Sequence, residues 1–160
     1  MFENLKDGLI VAGLAALPFG ELRTAIPFAQ GVLGMQPWPS FFWGVLGNII
    51  PVIILLKGLG PLSEFLAVRS PRLQEMLLRV FARTRRKSGV VEKYGWIGLL
   101  LFVAVPLPGT GAWTGCFAAF LFGIPFVKAA SAIITALVIL GAGITAATHS
   151  SLTAIDKLIP

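Results

Sequence analysis

The sequence predicts an all-α integral membrane protein: two re-entrant helical hairpins in an inverted repeat, each followed by a transmembrane helix, with an amphipathic cytoplasmic helix in the linker. Three observations lead there. Apolar residues of the AVILMFWYC set make up 56% of the 160 residues and charged residues only 12%, about half the roughly 25% of a soluble domain. The apolar segments are of two kinds, continuous and broken, and they alternate in the same order twice. The basic residues gather in one linker between the two halves. A soluble fold with so few charges could not cover its surface, so lipid must be the solvent for most of the chain. The same composition, with a mean hydropathy of +0.87, excludes intrinsic disorder.

Residues 1–36 form the first expected hairpin. Its opening carries Glu3, Lys6 and Asp7, which is not the basic start of a secretory signal, so the segment is expected to remain in the protein. Apolar residues run from Gly8 to Leu17, are interrupted by Pro18-Phe19-Gly20, meet Glu21, Arg23 and Pro27, and resume to about Met35. Residues 38–57 are nearly free of charge and long enough to cross a hydrocarbon core at ~1.5 Å per residue. Asn48 and Pro51 lie within them, and Pro51 cannot donate to the Gly47 carbonyl, so a bend is expected there.

The linker, residues 58–93, differs in composition. From Lys57 to Lys93 there are nine basic residues and three acids, a balance equal to the whole net charge of +6. Ser70-Pro71 reads as a helix start. Leu73, Met76, Leu77, Val80 and Phe81 then recur at helical spacing, with Arg72, Arg79, Arg83 and Arg86 on the opposite face, a pattern suited to an anionic leaflet. The flanking apolar segments argue against nucleic acid as the partner. By the positive-inside rule the linker is cytoplasmic, and the hairpin arrangement puts both termini outside.

Residues 94–123 form the second expected hairpin. Apolar residues from Trp96 to Val105 run into Pro106-Leu107-Pro108-Gly109-Thr110-Gly111 and resume from Ala112 to Phe122. Each arm is too short to cross, and broken backbone at membrane depth is tolerated only inside protein or beside a watery cavity. Two ordinary kinked spans are the alternative. Residues 125–148 form the second span, and 149–160 a tail. Pro18 against Pro106 gives a repeat offset near 88 residues, with the stretch from Gly34 to Pro37 matching the stretch from Gly123 to Pro125. A hairpin returning to its own side, followed by one crossing, inverts the second half relative to the first.

Enzyme chemistry is nearly absent. His149 is the single histidine and Cys116 the single cysteine, Asp and Glu total seven, and no zinc, nucleophile-elbow or phosphate-loop motif occurs. The expectation is a protein that is not an enzyme, with no catalytic residue, no metal site and no cofactor. Glu21 and Arg23 depart from the general avoidance of charge, since each costs about 2.5–3.5 kcal/mol at a membrane midplane. Two residues apart on a regular helix they point about 200° from one another, so either the backbone is irregular or each meets a separate group. Pro27 leaves the Arg23 carbonyl without its helical donor. In the second broken segment Thr110, Thr114, the Trp113 indole and amides freed at Gly109 and Gly111 could cradle an anion; tight packing of small residues is the alternative. Asn48 either bridges helices or faces a cavity.

Two motifs, Glu21-Leu22-Arg23-Thr24-Ala25-Ile26-Pro27 and Pro106-Leu107-Pro108-Gly109-Thr110-Gly111-Ala112-Trp113-Thr114-Gly115, resemble the signatures of the small multidrug export protein family. The resemblance spans nearly the whole chain. It implies a distant relationship to the DedA/VTT superfamily, with two opposed re-entrant hairpins and proton-dependent translocation of lipid or polyprenyl phosphate. Glu21 matches the acidic position of the first hairpin there. The second hairpin of those proteins carries arginines, and residues 106–115 carry none.

The resulting expectation is a multi-pass transporter of a prokaryotic inner membrane, with its substrate site between the two hairpin tips. Glu21 is the proton carrier and Arg23 holds an anionic group or restrains Glu21. Pro27, Asn48, Pro106, Pro108, Gly109, Thr110, Gly111, Trp113 and Thr114 complete the site. The expected partners are protons, membrane lipids and an amphiphilic or anionic lipid-like substrate or exported small molecule. A homodimer is expected on size alone, since so short a chain encloses little cavity. An uncoupled lipid scramblase or membrane-remodelling protein of DedA type is the rival reading, and a purely structural membrane subunit the third.

Overall fold

The computed structural model describes residues 5–69, 71–105 and 110–158. Among them are seven helices and no strand: α1 (Leu5–Ala16), α2 (Glu21–Gly31), α3 (Pro37–Arg69), α4 (Pro71–Lys87), α5 (Gly89–Ala104), α6 (Ala112–Leu121) and α7 (Phe126–Leu158). At ~1.5 Å per residue none of α1, α2 and α6 reaches across the ~30 Å of a hydrocarbon core. Among the described residues two helices are long and apolar enough to cross a membrane, over Pro37–Phe65 and Phe126–Ile155.

Both long helices exceed the expected spans. α3 continues past Lys57 to Arg69 with Pro51 and Pro61 inside it. Each proline removes one N–H, opposite the Gly47 and Lys57 carbonyls, but the neighbouring turns keep the helix going. The charge that marks the linker therefore does not end the helix. α7 likewise runs through residues expected to be a tail. Ser151 and Thr153 donate their hydroxyl protons back to the Ala147 and His149 carbonyls, both at 2.9 Å, which lets polar residues sit within a helix. Ser70, the expected cap of α4, lies outside the described residues; α4 itself occupies the predicted register.

The chain divides into two compact units, Met1–Ile50 with Leu137–Pro160, and Pro51–Ala136. Each holds one broken helix pair and part of each long helix. In the first, α1 and α2 pack on one another through Val11, Ala15, Ala25 and Ala29, with Leu14, Leu33, Met35 and Trp43 around them. Small residues suit this contact, because apolar helices in lipid gain little from hydrophobic burial and depend on close van der Waals packing. Gly47 of α3 shows how close: a Cβ there would lie 2.3 Å from the Ala12 carbonyl oxygen.

In the second unit α5 and α6 pack together and α4 packs on α6. Leu99, Val103, Ala112, Cys116 and Ile133 are fully buried, and a Cβ on Gly115 would meet Val103 at 2.6 Å. α5 is broken at Gly95, whose φ of 54° and ψ of −118° are non-helical and accessible to glycine without steric penalty. The expected apolar arm from Trp96 begins at the next residue. Its indole Nε1–H donates to the Ser131 hydroxyl at 2.9 Å, tying the arm to α7.

Candidate functional site

The first break, residues 17–20, is held by backbone bonds from the Gly20 and Glu21 N–H groups to the Leu17 carbonyl. Phe19 at its tip is 95% exposed. Gly20 packs so tightly on α1 that a Cβ would lie 1.9 Å from the Leu14 carbonyl oxygen. Thr24 closes the first turn of α2 by donating its hydroxyl to the Gly20 carbonyl. Between them Glu21 has a left-handed backbone, with φ at +42°. Among the described residues every other positive φ belongs to a glycine. Left-handed backbone costs an L-residue about 1–2 kcal/mol. The irregular backbone considered for the Glu21-Leu22-Arg23 stretch is therefore present.

Glu21 and Arg23 are half-buried, and both residues take part in interactions. Pro27 is half-buried within α2 and does not end it. Asn48 of α3 is fully buried. Its amide nitrogen donates to the Gly44 carbonyl at 3.5 Å, and its Oδ1 has no hydrogen-bond partner among the described residues.

At the second break Pro106, Pro108 and Gly109 lie outside the described residues. Thr110, on its far side, is buried and donates its hydroxyl to the Val105 carbonyl at 2.9 Å. Gly111 precedes α6, and its carbonyl accepts from the Gly115 N–H at 2.8 Å and from the Thr114 hydroxyl at 3.2 Å. The Trp113 indole nitrogen is buried without a hydrogen-bond partner among the described residues. Each unit thus has an unsatisfied polar atom next to its predicted residues: an acceptor on Asn48 in the first, a donor on Trp113 in the second. Such groups cost free energy unless a water or ligand meets them. Glu21, Arg23, Pro27 and Asn48 belong to the first unit; Thr110, Gly111, Trp113 and Thr114 belong to the second.

A further polar cluster was missed in the sequence. Gln30 of α2 is 6% exposed. Its Nε2 donates to the Ser40 hydroxyl at 3.1 Å and to the Thr145 carbonyl at 3.4 Å, and Ser40 in turn donates to the Pro37 carbonyl at 2.8 Å. Gln30 Oε1 and Thr145 Oγ1 are buried without hydrogen-bond partners among the described residues. Thr145 also lines an open apolar cavity of about 390 Å³, with Trp38, Phe41 and His149 on its wall. The available signal was spacing: Arg23, Pro27 and Gln30 stand at i, i+4 and i+7, one face of a helix.

Broken helix pairs and two helices of membrane-crossing length define a small all-helical protein among the described residues. The chain belongs to the family described as "Putative small multi-drug export protein", which it matches over residues 21–142. The matched interval opens at Glu21 and includes both motifs singled out above. Family and apolar helices together agree with a membrane location. Comparison with curated proteins and with solved structures finds no match.

Proposed function

We propose that this protein is a proton-coupled membrane exporter of an amphiphilic or anionic, lipid-like solute, with Glu21 as the proton carrier and Arg23 as the group that holds the solute's anionic part. The observation that carries the reading is the left-handed backbone at Glu21. Strained non-glycine residues persist only where their surroundings hold them, and they concentrate at functional sites. Here the strained residue carries a carboxyl group and directly follows a helix break. Arg23 offers a planar fork that grips phosphate or carboxylate. Thr110, Trp113 and Thr114 supply neutral donors suited to the same chemistry. The two broken pairs are read as re-entrant hairpins of an inverted repeat related to the DedA superfamily, in a prokaryotic inner membrane.

Proteoliposomes with an imposed proton gradient test this, with a fluorescent phosphatidylglycerol analogue as probe. The expected result is uphill movement of the probe only under the gradient, lost in Glu21→Gln. Equilibration of the lipid probe without a gradient, unchanged in Glu21→Gln, establishes the uncoupled scramblase instead. A variant with wild-type pH dependence removes Glu21 as the proton carrier.

A further inference from the structure

α4 has one apolar stripe, and the fold covers only its C-terminal part. Leu77, Val80, Phe81 and Thr84 recur at i, i+3, i+4 and i+7 and are buried or half-buried. Phe81 meets Phe117 and Phe120 of α6 with ring centroids 6.1 and 5.5 Å away. Leu73, which continues this stripe one turn toward the N-terminus, and Met76, which borders it beside Val80, are left 45% and 62% exposed. Residues three and four apart are neighbours on a helix surface, so Met76 is flanked by Leu73 and Val80 and also by Arg72 and Arg79, with Arg83 one turn beyond Arg79. The cationic face therefore borders Met76 and does not lie opposite to it, as the sequence pattern had suggested. All six basic residues of α4 are exposed, against the single acid Glu75, which pairs with Arg79 at 2.7 Å.

We propose that α4 docks on an anionic lipid leaflet: Leu73 and Met76 enter the acyl boundary, Arg72, Arg79 and Arg83 reach the lipid phosphates, and the Phe81 edge ties the helix to α6. The combination of exposed apolar side chains with arginines on one flank favours lipid. Long cationic side chains extend to the headgroups while their neighbours insert, and an anionic leaflet attracts the charge. Nucleic acid would engage the arginines but leave Leu73 and Met76 in water. Because α4 packs on α6, whose first residue follows Gly111 at the second break, leaflet charge would bear directly on that break. This inference rests on the membrane location and on nothing about the solute carried.

The full-length protein in a Cys116→Ser background, with Met76→Cys carrying an environment-sensitive fluorophore, tests the docking in nanodiscs of phosphatidylcholine with and without phosphatidylglycerol. The expected result is a blue shift and loss of acrylamide quenching only in the anionic discs. High salt should reverse it, since surface charge is screened. Arg72→Gln/Arg79→Gln/Arg83→Gln should abolish it, and the same probe at Leu78→Cys, about 200° round the helix from Met76 and also exposed, should not respond. A chain that fails to co-elute with the discs overturns the membrane reading and this proposal with it. A chain that co-elutes but emits alike in both lipids overturns the proposal alone. A shift produced by duplex DNA in neutral discs, absent with anionic lipid, assigns the face to nucleic acid and also overturns it.

Discussion

Gly34 and Gly123 hold the same backbone conformation, with φ at +63° and +62°, and each stands three residues before a long helix, α3 at Pro37 and α7 at Phe126. Both follow the end of a short helix, and in both the next residue's N–H bonds back into that helix, Met35 to the Ala29 carbonyl and Ile124 to the Ala119 carbonyl, at 2.9 Å each. This is the left-handed termination that favours glycine. Nothing lies within 4 Å of a Cβ built on either residue, so space is not what requires glycine. The backbone is. Gly34→Ala and Gly123→Ala should each lower stability by about 1–2 kcal/mol, and Gly34→Asn and Gly123→Asn by less, as measured by thermal unfolding in detergent. A cost at one position alone would show that the two terminations are not equivalent.

Close helix approach in the first unit gives a second prediction. Gly47→Ala drives a methyl group into the backbone of Ala12, with its carbonyl oxygen 2.3 Å and its Cα 2.6 Å away. Backbone cannot rotate aside as a side chain can, so a loss of about 1–3 kcal/mol or more is expected. Gly13→Ala, in α1 with nothing within 4 Å of its Cβ, should gain roughly 0.5–1 kcal/mol from helix propensity alone. Opposite shifts in melting temperature check the pair.

Glu21 can be separated into its charge and its backbone. Glu21→Asn removes the carboxyl group and tolerates left-handed φ, so it should raise stability by up to about 1 kcal/mol. Glu21→Gln removes the charge and keeps the strain. Both should lose pH-coupled transport, while only the asparagine variant melts higher. Transport that survives in either variant would mean the strain serves the fold and not the proton.

Thr110 bridges the second break through its bond to Val105, at 2.9 Å. Thr110→Val keeps the shape and removes the donor, at a cost of about 0.5–1.5 kcal/mol. Thr110→Ser keeps the donor and should cost less. Solute transport measured beside thermal unfolding tells whether closure of the break matters to function beyond its stability.

The sequence by itself determined several places where helices start and break, though not where the two long helices end. Pro18-Phe19-Gly20, Gly34 and Gly123 all mark real interruptions, because a missing N–H or a positive φ acts locally and needs no distant partner. The period of Leu73, Met76, Leu77, Val80 and Phe81 placed α4 for the same reason. Where charge alone marked a boundary, as at Lys57, the helix ignored it, since lysine is a good helix former whatever its solvent. The tertiary structure decided which residues face inward. In a chain this apolar, polarity contrast between faces is too small to distinguish core from lipid, so the Ala12–Gly47 contact could not be read from hydropathy. The cluster of Gln30 with Ser40 and Thr145 joins residues up to 115 apart in the chain, and the left-handed Glu21 backbone stands next to the close contact of Gly20 with α1. Those features depend on which helices come close. That is set by shape and small residues fitting across helices, and single-chain periodicity carries no record of it.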